Sequence, residues 1–237
     1  MIISNISKTY SVEGQKIDVL KDFSLTIPSG TITALVGPSG CGKTTLLNIV
    51  GNIVEADSGS VVKSESEEGP VSYLFQEPRL LPWFSVLTNV ELVLRPFYES
   101  HKQRLDVAMK FIKMVGLGEY AKLKPEQLSG GMRQRVAIAR SFAYPGHLML
   151  LDEPFQSLDY SLRWQLVHSF LNLWYNDKRT TLYVTHDIQE ALLMADQVVK
   201  LSKRPMKIVA THQIESHKRT RKPSDEKLIA LQAAFYN

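Results

Sequence analysis

Residues Gly37-Pro38-Ser39-Gly40-Cys41-Gly42-Lys43-Thr44 fit the pattern G-x-x-x-x-G-K-[ST]. Glycines at this spacing let backbone N–H groups turn inward around phosphate oxygens, and a helix opening at the lysine adds its partial positive charge. Lys43 is placed to neutralise β/γ-phosphate charge, and the Thr44 hydroxyl can ligate Mg²⁺. The pattern implies a nucleoside triphosphate without saying what its energy drives. Cys41, inside the loop, reads as a small filler, because nothing else in the chain supplies a cysteine-enzyme constellation.

A second group of reactive residues closes the apolar run Leu148-Met149-Leu150-Leu151-Asp152-Glu153-Pro154. Ligands of a parallel sheet lie at the carboxyl ends of its strands. Asp152 is therefore placed to hold Mg²⁺ or its waters, and Glu153 to polarise an attacking water. A third group is Leu128-Ser129-Gly130-Gly131-Met132-Arg133-Gln134-Arg135. A serine and two glycines before a helix make a second phosphate-accepting N-terminus, which one nucleotide site on one chain rarely needs.

The elements that must carry these groups follow from hydrophobic patterning. Residues 1–36 read as strands, with Phe23–Ile27 alternating, Pro28-Ser29-Gly30 as a turn and Thr31–Val36 as a buried strand. The polar stretch Lys63–Gly69 predicts an exposed hairpin tip, and Val71–Phe75 a further strand. Between Arg79 and Arg140 the pattern is helical. There Leu105, Ala108, Met109, Ile112 and Val115 share one face, and Gly116 and Gly118 stop the helix. Strand–helix alternation then returns, with strands at Leu148–Leu151, Thr181–Thr185 and Gln197–Leu201 and helices at Ser161–Asn176 and Ile188–Ala195. Such alternation predicts an α/β fold with a mainly parallel sheet flanked by helices.

Composition limits the alternatives. The chain has 237 residues, 44% of them hydrophobic and 22% charged, which is ordinary globular composition. The longest unbroken apolar run, Ala191–Ala195, has five residues, while a membrane-spanning helix needs about 20. The first residues show no charged leader with a long apolar stretch, so no secretory signal is expected. One cysteine fits a reducing compartment, and a net charge of +4 is too small to point to nucleic acid. Apart from His186, the histidines lack metal-ligand spacing, and no cysteine cluster could hold zinc or iron–sulfur.

The segment 128–135 resembles the signature motif of the ATP-binding cassette (ABC) ATPases, and further positions resemble that family in order. The resemblance implies a phosphate-loop ATPase core with an antiparallel β subdomain and a helical subdomain at about 79–140. It places an ATPase domain over 1–214, followed by a charged tail with a short helix at 215–237. It implies ATP and Mg²⁺ as cofactors. It also implies a head-to-tail homodimer in which Ser129, Gly130 and Gly131 of one copy cap the ATP held by Gly37, Pro38, Ser39, Gly40, Cys41, Gly42, Lys43, Thr44 and Thr45 of the other. Tyr10 matches the aromatic that stacks on adenine, and Asp159 the loop coupling the two sites. Gln76 matches the glutamine that senses Mg²⁺ and the attacking water, and His186 the histidine that contacts the γ-phosphate. The implied catalytic set is Glu153, His186, Gln76 and Lys43, and the implied metal set Thr44, Gln76 and Asp152.

The stretch Phe75-Gln76-Glu77-Pro78-Arg79-Leu80-Leu81-Pro82-Trp83 and the segment Leu201–Pro205 look like the ATP-binding subunits of nitrate, sulfonate, taurine and pyrimidine-precursor importers. Gln156-Ser157 departs from that pattern, where small residues are commoner. The resemblance implies transmembrane permease partners, an indirect periplasmic or lipid-anchored solute-binding protein, and a cytoplasmic location peripheral to the membrane. Leu80, Leu81, Trp83 and Phe84 form the apolar surface expected to meet the permease, with Trp83 or Phe84 partly exposed. After Leu201 the chain is too short for the regulatory barrel of many sugar importers, and its net-basic tail from Glu215 is expected to be solvated, with contact to anionic lipid or the permease as the alternative. An exporter subunit and a soluble, non-transport ABC ATPase are the alternatives.

Overall fold

The computed structural model describes residues 1–156 and 158–236. In chain order the elements are β1 (Ile2–Val12), β2 (Gln15–Thr26), β3 (Ile32–Val36), α1 (Lys43–Val50), β4 (Ser58–Val62), β5 (Val71–Leu74), α2 (Val86–Glu91), α3 (His101–Met114), α4 (Gly130–Ala143), β6 (Leu148–Asp152), α5 (Tyr160–Asn176), β7 (Thr180–Thr185), α6 (Ile188–Met194), β8 (Gln197–Leu201), β9 (Ile208–Gln213) and α7 (Glu226–Tyr236). They form two compact units, one of Met1–Glu68 with Arg179–Asn237 and one of Gly69–Lys178.

In the first unit β1 lies between β2 and β4 and pairs antiparallel with both. β3 lies between β7 and β8 and pairs parallel with both. Every residue of β3 and β7 is buried, as continuous apolar runs in parallel sheets require. Helix α1 packs on β7, and α6 on β3 and β7. β9, which alternation alone does not predict, adds antiparallel to β8. Its sequence Ile-Val-Ala-Thr-His-Gln is half exposed and too polar to read as a core strand.

Two expectations for this unit are corrected. Lys63–Gly69 is not a hairpin tip, because β4 pairs with β1 and β5 with β6. Residues Glu65–Glu67 instead make a short 3₁₀ turn, and Glu67 is 1% exposed. Its carboxylate meets the Met1 ammonium at 2.9 Å and accepts from Thr180 Oγ1 at 2.7 Å and from the Ser64 N–H at 3.0 Å. Burial alone would raise this carboxyl. The bonds from Thr180, Ser64 and the chain's amino group outweigh burial and lower it from 4.5 to about 2.

Nor is the tail solvated throughout. Arg221 is 5% exposed, and its guanidinium donates to the carbonyls of Leu192 (2.9 Å), Ala195 (2.6 Å) and Ile214 (3.1 Å). It thereby satisfies carbonyls at the end of α6, which have no partner within the helix. Lys218 pairs with Asp196, and Leu228 and Phe235 are buried. A net-basic composition suggested solvation, but two of its charges, Lys218 and Arg221, are buried against partners that folding supplies.

In the second unit β5 and β6 pair parallel. Helices α2, α3 and α4 pack on one another, and α5 packs on α4. Phe142 of α4, Phe170 of α5 and Phe155 pack in sequence, tilted and then edge-to-face, at 5.3 and 6.4 Å, and all three are fully buried. Each should cost about 3–5 kcal/mol if cut to alanine. Gly116, at φ 75°, turns the chain after α3, as its sequence position predicts.

The depressed Glu67 carboxyl sets a sign for acid stability. Its contribution is complete above pH 4.5 and is lost as pH falls from there towards about 2. Thermal melts should therefore show a steeper loss of Tm between pH 5 and pH 3 in the native chain than in Glu67→Gln. Equal slopes would remove the carboxylate from the account.

Candidate functional site

Strand register places the reactive residues of the first unit. Val36, the last residue of β3, lies opposite Thr185, the last residue of β7. The residues that follow, Gly37 and His186, therefore leave the sheet at the same edge. Gly37 through Gly42 bridge β3 to α1, with Pro38, Ser39 and Gly40 exposed and Cys41 2% exposed. Gly42 has φ 123°, and a Cβ there would come within 2.8 Å of Val19 Cγ1. Gly37 is equally confined, because a Cβ would stand 2.9 Å from Leu201 Cβ on β8. Gly42 is required by backbone conformation and by space, and Gly37 by space.

Lys43, the first residue of α1, is 4% exposed. Its ammonium donates to the carbonyls of Gly37 (2.8 Å) and Pro38 (3.1 Å), so the charge sits within the loop's curve. Thr44 is exposed beside it and Thr45 half-buried. Tyr10, near the end of β1, is 37% exposed, with Lys8 Nζ 5.6 Å from its ring centre. His186 is exposed, and the segment around it is fixed from below. The Asp187 N–H donates to Thr185 Oγ1 (3.0 Å), and Thr185 Oγ1 donates to the buried Glu190 carboxylate (3.3 Å). Tyr183 OH also donates to Glu190, and Asp187 caps α6 through the N–H groups of Gln189 and Glu190. Burial first, and then the charge of Glu190, pushes the Tyr183 hydroxyl well above its ordinary range, so it remains a donor. Sequence reading missed Glu190, and its position inside an apolar helix was the available signal.

The same device operates in the second unit. Leu74 of β5 lies opposite Leu151 of β6, so Phe75-Gln76 and Asp152-Glu153 leave adjacent strands together. Asp152 accepts from Tyr73 OH, whose acidity is suppressed by burial and then by the Asp152 charge. Glu153 has φ 44°, the left-handed region that a residue with a Cβ enters at a cost. A turn follows, closed by Gln156 N–H to Glu153 O at 3.1 Å. Gln76 is exposed, and its Nε2 donates to Gln156 Oε1 at 2.5 Å.

Ser129 caps α4 by accepting from the Met132 N–H at 3.3 Å, and Ser129 and Gly130 are exposed. Gly131 is buried, and a Cβ there would meet Leu162 Cδ1 at 2.5 Å, so glycine lets α4 lie against α5. Asp159 caps α5 through the Leu162 N–H at 2.9 Å. Its neighbour Ser157 lies outside the described residues. Trp83 is 64% exposed, while Leu80, Leu81 and Phe84 are half-buried. Beside them Tyr73, Phe75, Leu81, Asn89 and Tyr144 line a cleft of about 240 Å³.

The donor chemistry fits a magnesium nucleotide. Thr44 in the first unit, and Gln76 and Asp152 in the second, each carry a hard oxygen of the kind Mg²⁺ selects. Among the described residues there is no group of three or more His, Cys, Asp or Glu able to hold a metal.

Comparison with known proteins agrees with this chemistry. Residues 20–156 match the family described as ABC transporter. The taurine import ATP-binding protein of Escherichia coli K12 is 42% identical over 208 residues, covering 86% of this chain and 81% of that protein. An uncharacterized ABC transporter ATP-binding protein of Methanocaldococcus jannaschii is 39% identical over 210 residues, covering 87% and 79%. The dimeric structure of a bacterial ABC transporter cassette superposes with a TM-score of 0.79 at 31% identity, covering 92% of this chain and 100% of that one. A dimeric post-hydrolysis state of a cassette bound to ADP and Pi gives 0.78 at 31% identity.

The confinement of Gly42 generates a direct test. Gly42→Ala cannot keep φ 123° or avoid Val19. It should weaken binding of a fluorescent ATP analogue by at least about tenfold, with the circular dichroism spectrum retained. Unchanged affinity would show that the loop does not need its observed backbone.

Proposed function

The chain belongs to the ABC transporter family of ATP-binding proteins, and on that premise we propose that it is the ATP-hydrolysing subunit of an importer for a small solute. The observation that carries the importer reading is its 42% identity, over 86% of its length, to a taurine import ATP-binding protein. The solute class proposed is that of nitrate, sulfonates, taurine or pyrimidine precursors. Selectivity within it belongs to the binding protein and permease.

In this reading residues 1–214 are the ATPase domain, 79–140 its helical part and 215–237 a tail. The phosphate loop holds the β/γ-phosphates through its N–H groups and Lys43, whose buried ammonium stabilises transferred charge. Thr44, Asp152 and Gln76 hold Mg²⁺, which supplies charge neutralisation at the phosphates. Glu153 orients and deprotonates the attacking water, and His186 contacts the γ-phosphate. Tyr10 offers its exposed ring to adenine.

Likeness to dimeric cassettes supports a homodimer in which Ser129, Gly130 and Gly131 of one copy complete the site of the other, with Asp159 coupling the two. Exposed Trp83 and the cleft beside Phe75 are proposed to receive a permease helix. No helix among the described residues is long and apolar enough to cross a membrane. Placement on the cytoplasmic face of the membrane is proposed from the likeness to an import ATP-binding protein, through contact with a permease.

Lys43→Ala should abolish phosphate release and weaken ATP binding; normal turnover would sink the loop assignment. Glu153→Gln should bind ATP and accumulate as a dimer by light scattering, whereas a monomer under saturating ATP would remove Glu153 from the hydrolytic step. Affinity purification from detergent-solubilised membranes should recover a multi-span permease. Recovery of soluble partners alone would overturn the importer reading and leave the ATPase chemistry in place.

A further inference from the structure

Gln76 is a primary amide, and its two ends do different chemistry. The oxygen can ligate a hard cation or accept from water, while the nitrogen can only donate. The ends are nearly equal in size, so sterics alone do not decide which one faces a metal. A hydrogen-bond partner that presents an acceptor to the nitrogen can.

Such a partner stands in the Gln156-Ser157 stretch, where small residues are commoner in the importer pattern. Gln156 Oε1 accepts from Gln76 Nε2 at 2.5 Å. With its nitrogen engaged, Gln76 keeps Oε1 open, and among the described residues that oxygen accepts no hydrogen bond. A small residue at position 156 would have no side chain to make this contact.

Both amides stand on anchored backbone. On the Gln156 side, Phe155 is fully buried, Gln134 Nε2 donates to Pro154 O at 2.5 Å, and the turn bond ties Gln156 N–H to Glu153 O. On the Gln76 side, the Arg79 guanidinium lies 3.9 Å from the Phe75 ring centre, and Phe75 stacks on Tyr73 at 4.1 Å. Arg140 donates to Pro78 O (2.7 Å) and Arg79 O (2.8 Å), closing the loop from behind. The bond therefore joins two segments whose positions are set independently of it.

We propose that Gln156 is a positioning residue for Gln76, accepting from its amide nitrogen so that the amide oxygen is presented to the divalent cation of the bound nucleotide. This rests on the metal role given to Gln76 above. It adds that Gln156 acts through Gln76 and sets that ligand's orientation. It further ties the segment after Glu153 to the one beside the proposed permease cleft.

The test is equilibrium Mn²⁺ binding, followed by electron paramagnetic resonance with saturating AMP-PNP, on the full chain. Gln156→Met keeps length but removes the acceptor; Gln156→Glu keeps an acceptor. Gln156→Met should weaken Mn²⁺ binding about three- to tenfold, the worth of one hydrogen bond. Its Tm and its metal-free AMP-PNP affinity should match the native chain. Gln156→Glu should bind Mn²⁺ at least as tightly as the native chain, and this retention should vanish when Gln76→Met is added. The double variant Gln76→Met/Gln156→Met should be no weaker than Gln76→Met alone, because both act through one bond. If Gln76→Met weakens Mn²⁺ binding but Gln156→Met does not, or if the two effects add, the positioning role is overturned and the metal role of Gln76 stands. If Gln76→Met itself leaves Mn²⁺ binding unchanged, the metal role falls and the positioning role with it.

Discussion

A strand buried on both faces can present chemistry only at its ends. β3 and β7 are buried at every residue, and so is β6 up to Asp152. Their backbones are spent on sheet hydrogen bonds and their side chains on packing. Parallel pairing then does the positioning, because strands that run the same way end at the same edge. Val36 opposite Thr185 in the first unit and Leu74 opposite Leu151 in the second are the registers from which each unit's candidate loops emerge. A one-residue slip in either would flip alternate side chains between the sheet's faces and displace the loops that follow.

Fixing a loop's starting point does not fix its side chains, and here buried and half-buried polar groups take over. Glu190 serves Tyr183 and Thr185 beneath the segment that carries His186. Tyr73 serves Asp152, and Arg140 serves two carbonyls behind Gln76. Each such group is costly to bury alone and stabilising once paired. A network of this kind therefore tolerates loss of a whole pair better than loss of one member.

The fold and the phosphate loop were legible in the sequence for one reason. Both are written in short windows, either as apolar runs such as Thr31–Val36 or as the spacing of Gly37 to Thr44. What escaped depends on partners far along the chain. Glu67 looked like one acid in a polar run, because Met1 and Thr180 are invisible from it. Arg221 looked like one cation in a charged tail, because the carbonyls of Leu192 and Ala195 are brought to it only by folding. Gln156 stood out solely as a departure from the importer pattern, and its partner 80 residues earlier supplied the reason.

Glu153 holds φ 44°, where glycine or asparagine would sit with less strain. Local backbone preference and the proposed chemistry therefore pull the identity of this position in opposite directions. Variants selected only for heat resistance should drift there towards glycine or asparagine, while variants selected for turnover should keep the carboxylate. Position 153 is where evolution of this chain would reveal whether it was being kept as a scaffold or as a motor.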